Sequence, residues 1–185
     1  PTDADYEANC EEARALLAEA GYENGEGFPV VEYLYNTSDA HKAVAEALQY
    51  MWEEELGVKV TLNNQEWAAF LQTRKDGDYS IARNGWIADY NDPISFLDMW
   101  MTGGGNNDAQ YSNEEYDSLI KEAKTTTDVK ERMELLHKAE DKIIGEDNAL
   151  APLYFYTQKY MLADGIEGMY YCPLGYFFFG YTHQA

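Results

Sequence analysis

The chain is short of positive charge. Against 34 Asp and Glu it carries 13 Lys and Arg, a formal net charge of -21 over 185 residues. Affinity for DNA, RNA or an anionic membrane face rests on neutralising phosphates, so no nucleic-acid partner is expected. Acidic runs such as Glu53-Glu54-Glu55 read as solvated helix faces that favour solubility, with attraction of a cationic ligand as the alternative. Cysteine is scarce too. Cys10 shares a helical face with Ala13 and Leu17, where it acts as a small hydrophobe, and neither it nor Cys172 has a C-x-x-C partner or a His neighbour. Two cysteines so placed do not define a redox compartment. The longest apolar runs, residues 150–155 and 176–179, fall far short of the roughly 20 residues that span a bilayer. The chain opens at Pro1 without an initiator Met or an apolar leader, so any targeting segment is expected to lie outside it.

Catalytic patterns are missing as well. His41, His137 and His183 are scattered, and neither H-E-x-x-H nor G-x-S-x-G occurs. Gly103-Gly104-Gly105 runs into Asn106-Asn107 rather than Lys-Ser/Thr, so it reads as a tight turn and not as a phosphate loop. Asp89 and Asp92 could be imagined as a glycosidase pair, but Asp92 directly precedes Pro93, where a helix cap is the plainer reading. No catalytic residue, metal or cofactor is expected, and a peptidase or glycosidase lobe stands as the rival from another class.

What is present suits binding. Hydrophobic residues make up 45% of the chain, enough for one sizeable domain or lobe. Sixteen Tyr and four Trp supply large amphipathic surfaces with little rotamer entropy to lose, in a cleft or in the core. The periodicity predicts a helix over 7–20 ended by Gly21, a strand over 30–35, and a helix over 40–56 with Val44, Ala47, Leu48, Met51 and Trp52 on one face before Gly57. Val58, Val60 and Leu62 then alternate as a strand, giving a βαβ unit with a parallel pair. A short helix over 67–75, a turn at Asp76-Gly77-Asp78 and a strand over 79–83 follow. Ser112 with Glu115 reads as a capping box ahead of Tyr116, Leu119, Ile120 and Ala123. Asp128 with Glu131 opens another helix carrying Leu136, Ala139 and Ile143. Residues 150–156 read as a last strand, and 157–185 as an aromatic, Gly-punctuated tail without helical period, suited to lie against a surface outside the chain.

The densest chemistry lies in Arg83-Asn84-Gly85-Trp86-Ile87-Ala88-Asp89-Tyr90-Asn91-Asp92-Pro93. A cation, an indole and a carboxylate share one strand-to-loop transition, where open α/β sheets tend to place ligands. A protonated amine on an extended ligand would find a charge-assisted hydrogen bond at Asp89 and an apolar wall at Trp86. The alternative is that Asp89 caps the turn and Trp86 is core.

These residues also resemble a family. Asn36-Thr37-Ser38 with His41, Leu56-Gly57-Val58 to Val60, Asn64-Gln65-Glu66-Trp67, Phe70-Leu71, Thr73-Arg74 and Arg83-x-Gly85-Trp86-x-Ala88-Asp89-Tyr90-Asn91-x-Pro93 are similar to the oligopeptide-binding proteins of bacterial ABC importers. The likeness continues through Ser95-Phe96-Leu97, Asn106-Asn107, Tyr111, Ala139-Glu140 and Pro152-Leu153-Tyr154-Phe155-Tyr156. It implies an α/β fold, the C-terminal lobe of a type II periplasmic-binding-protein fold with a mixed sheet flanked by helices. Residues 1–156 would be the ligand-binding lobe, and 157–185 a tail returning to an N-terminal lobe outside this chain.

The resemblance also implies roles. Asp89 would pair with a peptide's α-ammonium, and Gly85 would lie where the backbone pairs with the extended peptide, which is indifferent to side-chain identity. Trp67 and Trp86 would wall roomy side-chain pockets, and Tyr156 would be a further contact near the hinge. His41, Arg74 and Arg83 would lie close to the peptide's C-terminal end or its acidic side chains, and Asn36 belongs to the same ligand-binding set. The implied partners are an oligopeptide, the membrane permease and the absent lobe, in an extracytoplasmic, lipid-anchored protein. A receptor for a nickel complex, haem or oligosaccharide is the nearest rival. The departures are Ile87, where some relatives have a cysteine that closes a disulfide, and Lys75, where a histidine can occur. The lost cysteine removes a staple but leaves the site.

Overall fold

A computed structural model describes residues 3–185, with side chains from residue 5. The chain divides into two compact units, Pro1–Asn84 and Gly85–Ala185.

In the first unit α1 (Asp3–Glu19) leads through a 3-10 turn at Glu23–Gly25 into β1 (Val31–Asn36), α2 (Asp39–Leu56), β2 (Val60–Gln65), α3 (Trp67–Asp76) and β3 (Ile81–Ala82). The sheet order is β2-β1-β3, and both pairings are parallel, with Val31 opposite Val60 and Tyr33 opposite Ile81. Being central, β1 is covered on both faces, so Tyr33, Leu34, Tyr35 and Asn36 are buried in succession. Tyr33 and Tyr35 share one face and pack with Ala45, Val58 and Val60.

The βαβ expectation holds, with one adjustment to α2. Ala45 is its buried position, flanked by Leu48 and Trp52, while Ala47 and Met51 face solvent. The stripe 45–48–52 meets the sheet, and the expected stripe was rotated from it. Ser38 caps α2, its Oγ accepting the His41 N–H at 3.5 Å, and Gly57 ends it in the left-handed region. The strand expected over 79–83 pairs only at Ile81–Ala82, extended by the Arg83 N–H donating to the Leu34 carbonyl at 2.8 Å.

The second unit begins with an irregular segment, then α4 (Ile94–Leu97), a 3-10 turn at Asp98–Trp100, α5 (Glu114–Thr125) and α6 (Val129–Glu140), which continues into a π turn at Asp141–Glu146. Tyr116, Ile120 and Ala123 of α5 and Leu135, Leu136, Ala139 and Ile143 of the next helix close a core with Ile94, Met99 and Trp100. The cap of α5 is Asn113, not Ser112. Asn113 Oδ1 accepts the N–H groups of Glu115 and Tyr116 at 2.9 and 3.1 Å, whereas the Ser112 hydroxyl meets the Thr102 hydroxyl. Asp128 caps α6 as expected, accepting the Glu131 N–H. The glycine run turns tightly: a Cβ on Gly104 would lie 2.8 Å from the Met99 carbonyl oxygen. Asn107, buried, staples this loop by donating to the carbonyls of Trp100, Met101 and Tyr111.

Residues 150–156 do not form the expected strand. A strand needs a neighbour for its backbone, and none of the described strands pairs with this segment. Leu150 packs against the core, but the side chains from 151 to 156 stay in solvent, Phe155 98% exposed. Beyond it β4 (Ile166–Glu167) pairs with β7 (His183–Gln184), and β5 (Tyr170–Cys172) with β6 (Tyr176–Phe178), both antiparallel. The parallel and antiparallel pairings therefore occupy separate small sheets. Both cysteines are free thiols. No helix among the described residues is long and apolar enough to cross a membrane.

Candidate functional site

In the first unit the order β2-β1-β3 sends the chain leaving β1 to one side, through α2, while β3 arrives on the other. The crevice beyond the carboxyl ends of such strands is where α/β sheets receive ligands. Asn36 ends β1, Arg83 follows β3, and His41 sits in the first turn of α2. Arg83 Nη1 approaches Asn36 Oδ1 at 3.5 Å, at the edge of hydrogen bonding. Burial, and then the Arg83 charge, hold the His41 imidazole below its ordinary pKa. A permanent cation and a neutral imidazole beside a helix N-terminus favour an anion and disfavour a second cation.

Arg74 is tied to the same strand end from α3. Its Nη1 donates to Asn84 Oδ1 at 2.9 Å and reaches the Arg83 carbonyl at 3.5 Å, while its guanidinium lies 5.2 Å from the Phe70 ring centre. Trp67 stacks on that same Phe70 ring, centroids 5.8 Å apart, and remains 54% exposed. The structure thus gathers Asn36, His41, Arg83 and Arg74, with Trp67 joined through Phe70. Phe70 had no assigned role in the sequence, yet it is the fully buried platform under both neighbours.

In the second unit Gly85, Trp86 and Asp89 lie in the irregular segment 85–93. Asp89 is exposed, and among the described residues no hydrogen bond or ion pair reaches its carboxylate. Its backbone is fixed, since its N–H donates to Ser95 Oγ at 2.9 Å and Ser95 is buried. Trp86 packs against the α4–α6 core, and its Nε1 is buried without a hydrogen-bond partner among the described residues. Trp86 is thus half-buried with its ring on that core, and among the described residues no turn-capping bond is made by the Asp89 carboxylate. Tyr156 is exposed, its ring edge-on to Tyr154 at 5.1 Å, with the two hydroxyls 3.2 Å apart.

Asp92 behaves differently from Asp89. Its Oδ1 accepts the Ile94 N–H and an Arg132 Nη2 hydrogen, both at 2.9 Å. The Arg132 hydrogen bond holds its pKa below the ordinary carboxylate value. The bond to the Ile94 N–H is the helix cap expected of Asp92, and a carboxylate so engaged is a poor proton donor. Arg132 itself, on α6, carried no motif that singled it out. Among the described residues no cluster of His, Cys, Asp and Glu could hold a metal ion.

The family described as "Bacterial extracellular solute-binding proteins, family 5 Middle" matches residues 1–108. The chain is 42% identical over 158 residues to the periplasmic oligopeptide-binding protein OppA of Salmonella typhimurium, covering 85% of this chain and 29% of that protein. It is 41% identical over 154 residues to the oligopeptide-binding protein OppA of Bacillus subtilis, covering 83% and 28%. Among solved structures, Haemophilus influenzae OppA in complex with RPPGFSPFR superposes with a TM-score of 0.77 at 37% identity, covering 86% of this chain and 31% of that one. The chain therefore spans under a third of the length of these relatives.

Proposed function

Because the chain belongs to the bacterial extracellular solute-binding proteins of family 5, we propose that it is one lobe of the substrate-binding component of an ABC peptide importer, which closes on extended oligopeptides. The observation that carries this reading is the Asp89 carboxylate, exposed and unpartnered on a backbone held by Ser95. A fixed acid without an internal partner suits a peptide's α-ammonium. The Gly85 backbone pairs with the extended peptide, Trp86 and Trp67 wall side-chain pockets, and Tyr156 adds a contact. Asn36, His41, Arg83 and Arg74 form the first unit's anion-favouring cluster, suited to carboxylates of the ligand. No chemistry is done on the ligand.

Residues 1–156 form the lobe in this reading, and 157–185 return to the lobe that this chain lacks. The exposed apolar side chains Phe155, Met161 and Tyr181 support that assignment. The full-length protein works outside the cytoplasm, lipid-anchored, and delivers peptide to a membrane permease by hinge closure.

The test is titration calorimetry on the full-length protein with tri-alanine and its N-acetylated form. Asp89→Asn should cost the free-amine peptide on the order of 2–5 kcal/mol, since one member of a desolvated ion pair is lost. Equal affinity of wild type and variant for tri-alanine would refute the assignment, and a ligand without a free amine would then be the better reading.

A further inference from the structure

Segment 85–93 has no helix or strand to hold its shape. Three anchors do so instead: the Trp86 ring on the core, the Asp89 N–H on Ser95 Oγ, and the Asp92 carboxylate. Among the described residues the last ties the segment to a distant helix by a charged bond. Asp92 Oδ1 takes Arg132 Nη2 at 2.9 Å, while Arg132 Nε donates to the Ala123 carbonyl at 3.1 Å in the last turn of α5. One guanidinium fork thus joins α5, α6 and the loop. The two side chains are 23% and 29% exposed, so water screens the pair only in part. The same Asp92 oxygen accepts the Ile94 N–H and so fixes the start of α4, which presents Ser95 to Asp89.

We propose that Arg132 is a positioning residue for ligand recognition: acting through Asp92, it holds the loop so that the Asp89 carboxylate stays aimed at the ligand's amine. The proposal rests on the reading of Asp89 given above. Electrostatics makes it separable from a simple charge effect. Arg132 is a cation in the unit that is to attract an ammonium, so on charge alone its removal would strengthen free-amine binding. A brace requires the opposite sign.

The experiment uses the full-length protein, with tri-alanine and N-acetyl-tri-alanine as probes and Asp89→Asn as reference. Arg132→Gln should weaken tri-alanine binding about ten-fold, within the range of coupling between residues of one network, and leave the acetylated peptide unchanged. Asp92→Asn should do the same, and the double variant no more. Hydrogen exchange should speed up at the amides of 86–92 while the amides of α5 and α6 stay protected, an observation that needs no ligand. Arg132→Lys, which keeps the charge but not the fork, should fall between wild type and Arg132→Gln; it also serves if the Gln variant folds poorly. Unchanged or tighter tri-alanine binding by Arg132→Gln, with Asp89→Asn still impaired, overturns the brace alone. If Asp89→Asn binds like wild type, the amine-binding reading falls and the brace with it.

Discussion

Gly57→Ala should destabilise the first unit by about 2–5 kcal/mol, in two separable parts. Gly57 has φ of 67°, a region in which an L-residue costs about 1–2 kcal/mol. A Cβ there would also lie 2.2 Å from the Asn24 carbonyl oxygen and 3.0 Å from its carbon. Those are backbone atoms and cannot swing aside, and Asn24 already has φ of 55°. Relief requires moving the 3-10 turn off the end of α2, an overpacking cost of about 1–3 kcal/mol. Gly21 supplies the control: its φ is 91°, but a Cβ would meet nothing within 4 Å. Gly21→Ala should therefore show the conformational part alone, about 1–2 kcal/mol. Urea unfolding followed by circular dichroism gives both values from the shift in midpoint at constant slope. Equal losses for the two variants would refute the close approach between these backbones.

Tyr116→Phe should cost about 1–3 kcal/mol, because the hydroxyl donates to the Leu97 carbonyl at 2.6 Å inside the core and would leave it unsatisfied; chemical unfolding measures it. Stability should fall in stages on acidification. The His41 pKa is lowered in the folded chain, so the unfolded chain holds more protons below the ordinary value of 6.5; the contribution is complete above that pH and lost as pH falls through the folded pKa. Asp92, also lowered, acts likewise below 3.8, so His41→Gln should remove only the first stage of an acid unfolding curve. Phe155→Ser should change stability by no more than about 0.5 kcal/mol, since the ring is 98% exposed, while reducing the binding of a hydrophobic dye.

Where local periodicity and burial agreed, the sequence was a sufficient guide. The parallel pair, the αL stop at Gly57, the Asp128 cap and the buried faces of α5 and α6 follow from side-chain spacing and backbone chemistry within a few residues. Misreadings came where a neighbour decides. Residues 150–156 have the apolar character of a strand, but pairing needs a partner that no spacing reveals. Asn113 displaces Ser112 as cap because its amide also donates to Asp147 at 2.7 Å, across 34 residues of sequence. The stripe on α2 was rotated because alanine and methionine suit either face. The candidate site was legible as a list of residues, and Asp89 stood out by its setting. The contacts around it were hidden, because the Ser95 hydrogen bond to its N–H and the Arg132 hydrogen bonds to Asp92 and Ala123 follow from no motif.

A crystal structure of the full-length protein with a bound tripeptide measures the central proposal most directly. The account predicts the ligand's ammonium nitrogen within about 3 Å of an Asp89 carboxylate oxygen, the distance of a charge-assisted hydrogen bond. A bound peptide whose amino end lies elsewhere, with Asp89 left in solvent, would contradict it.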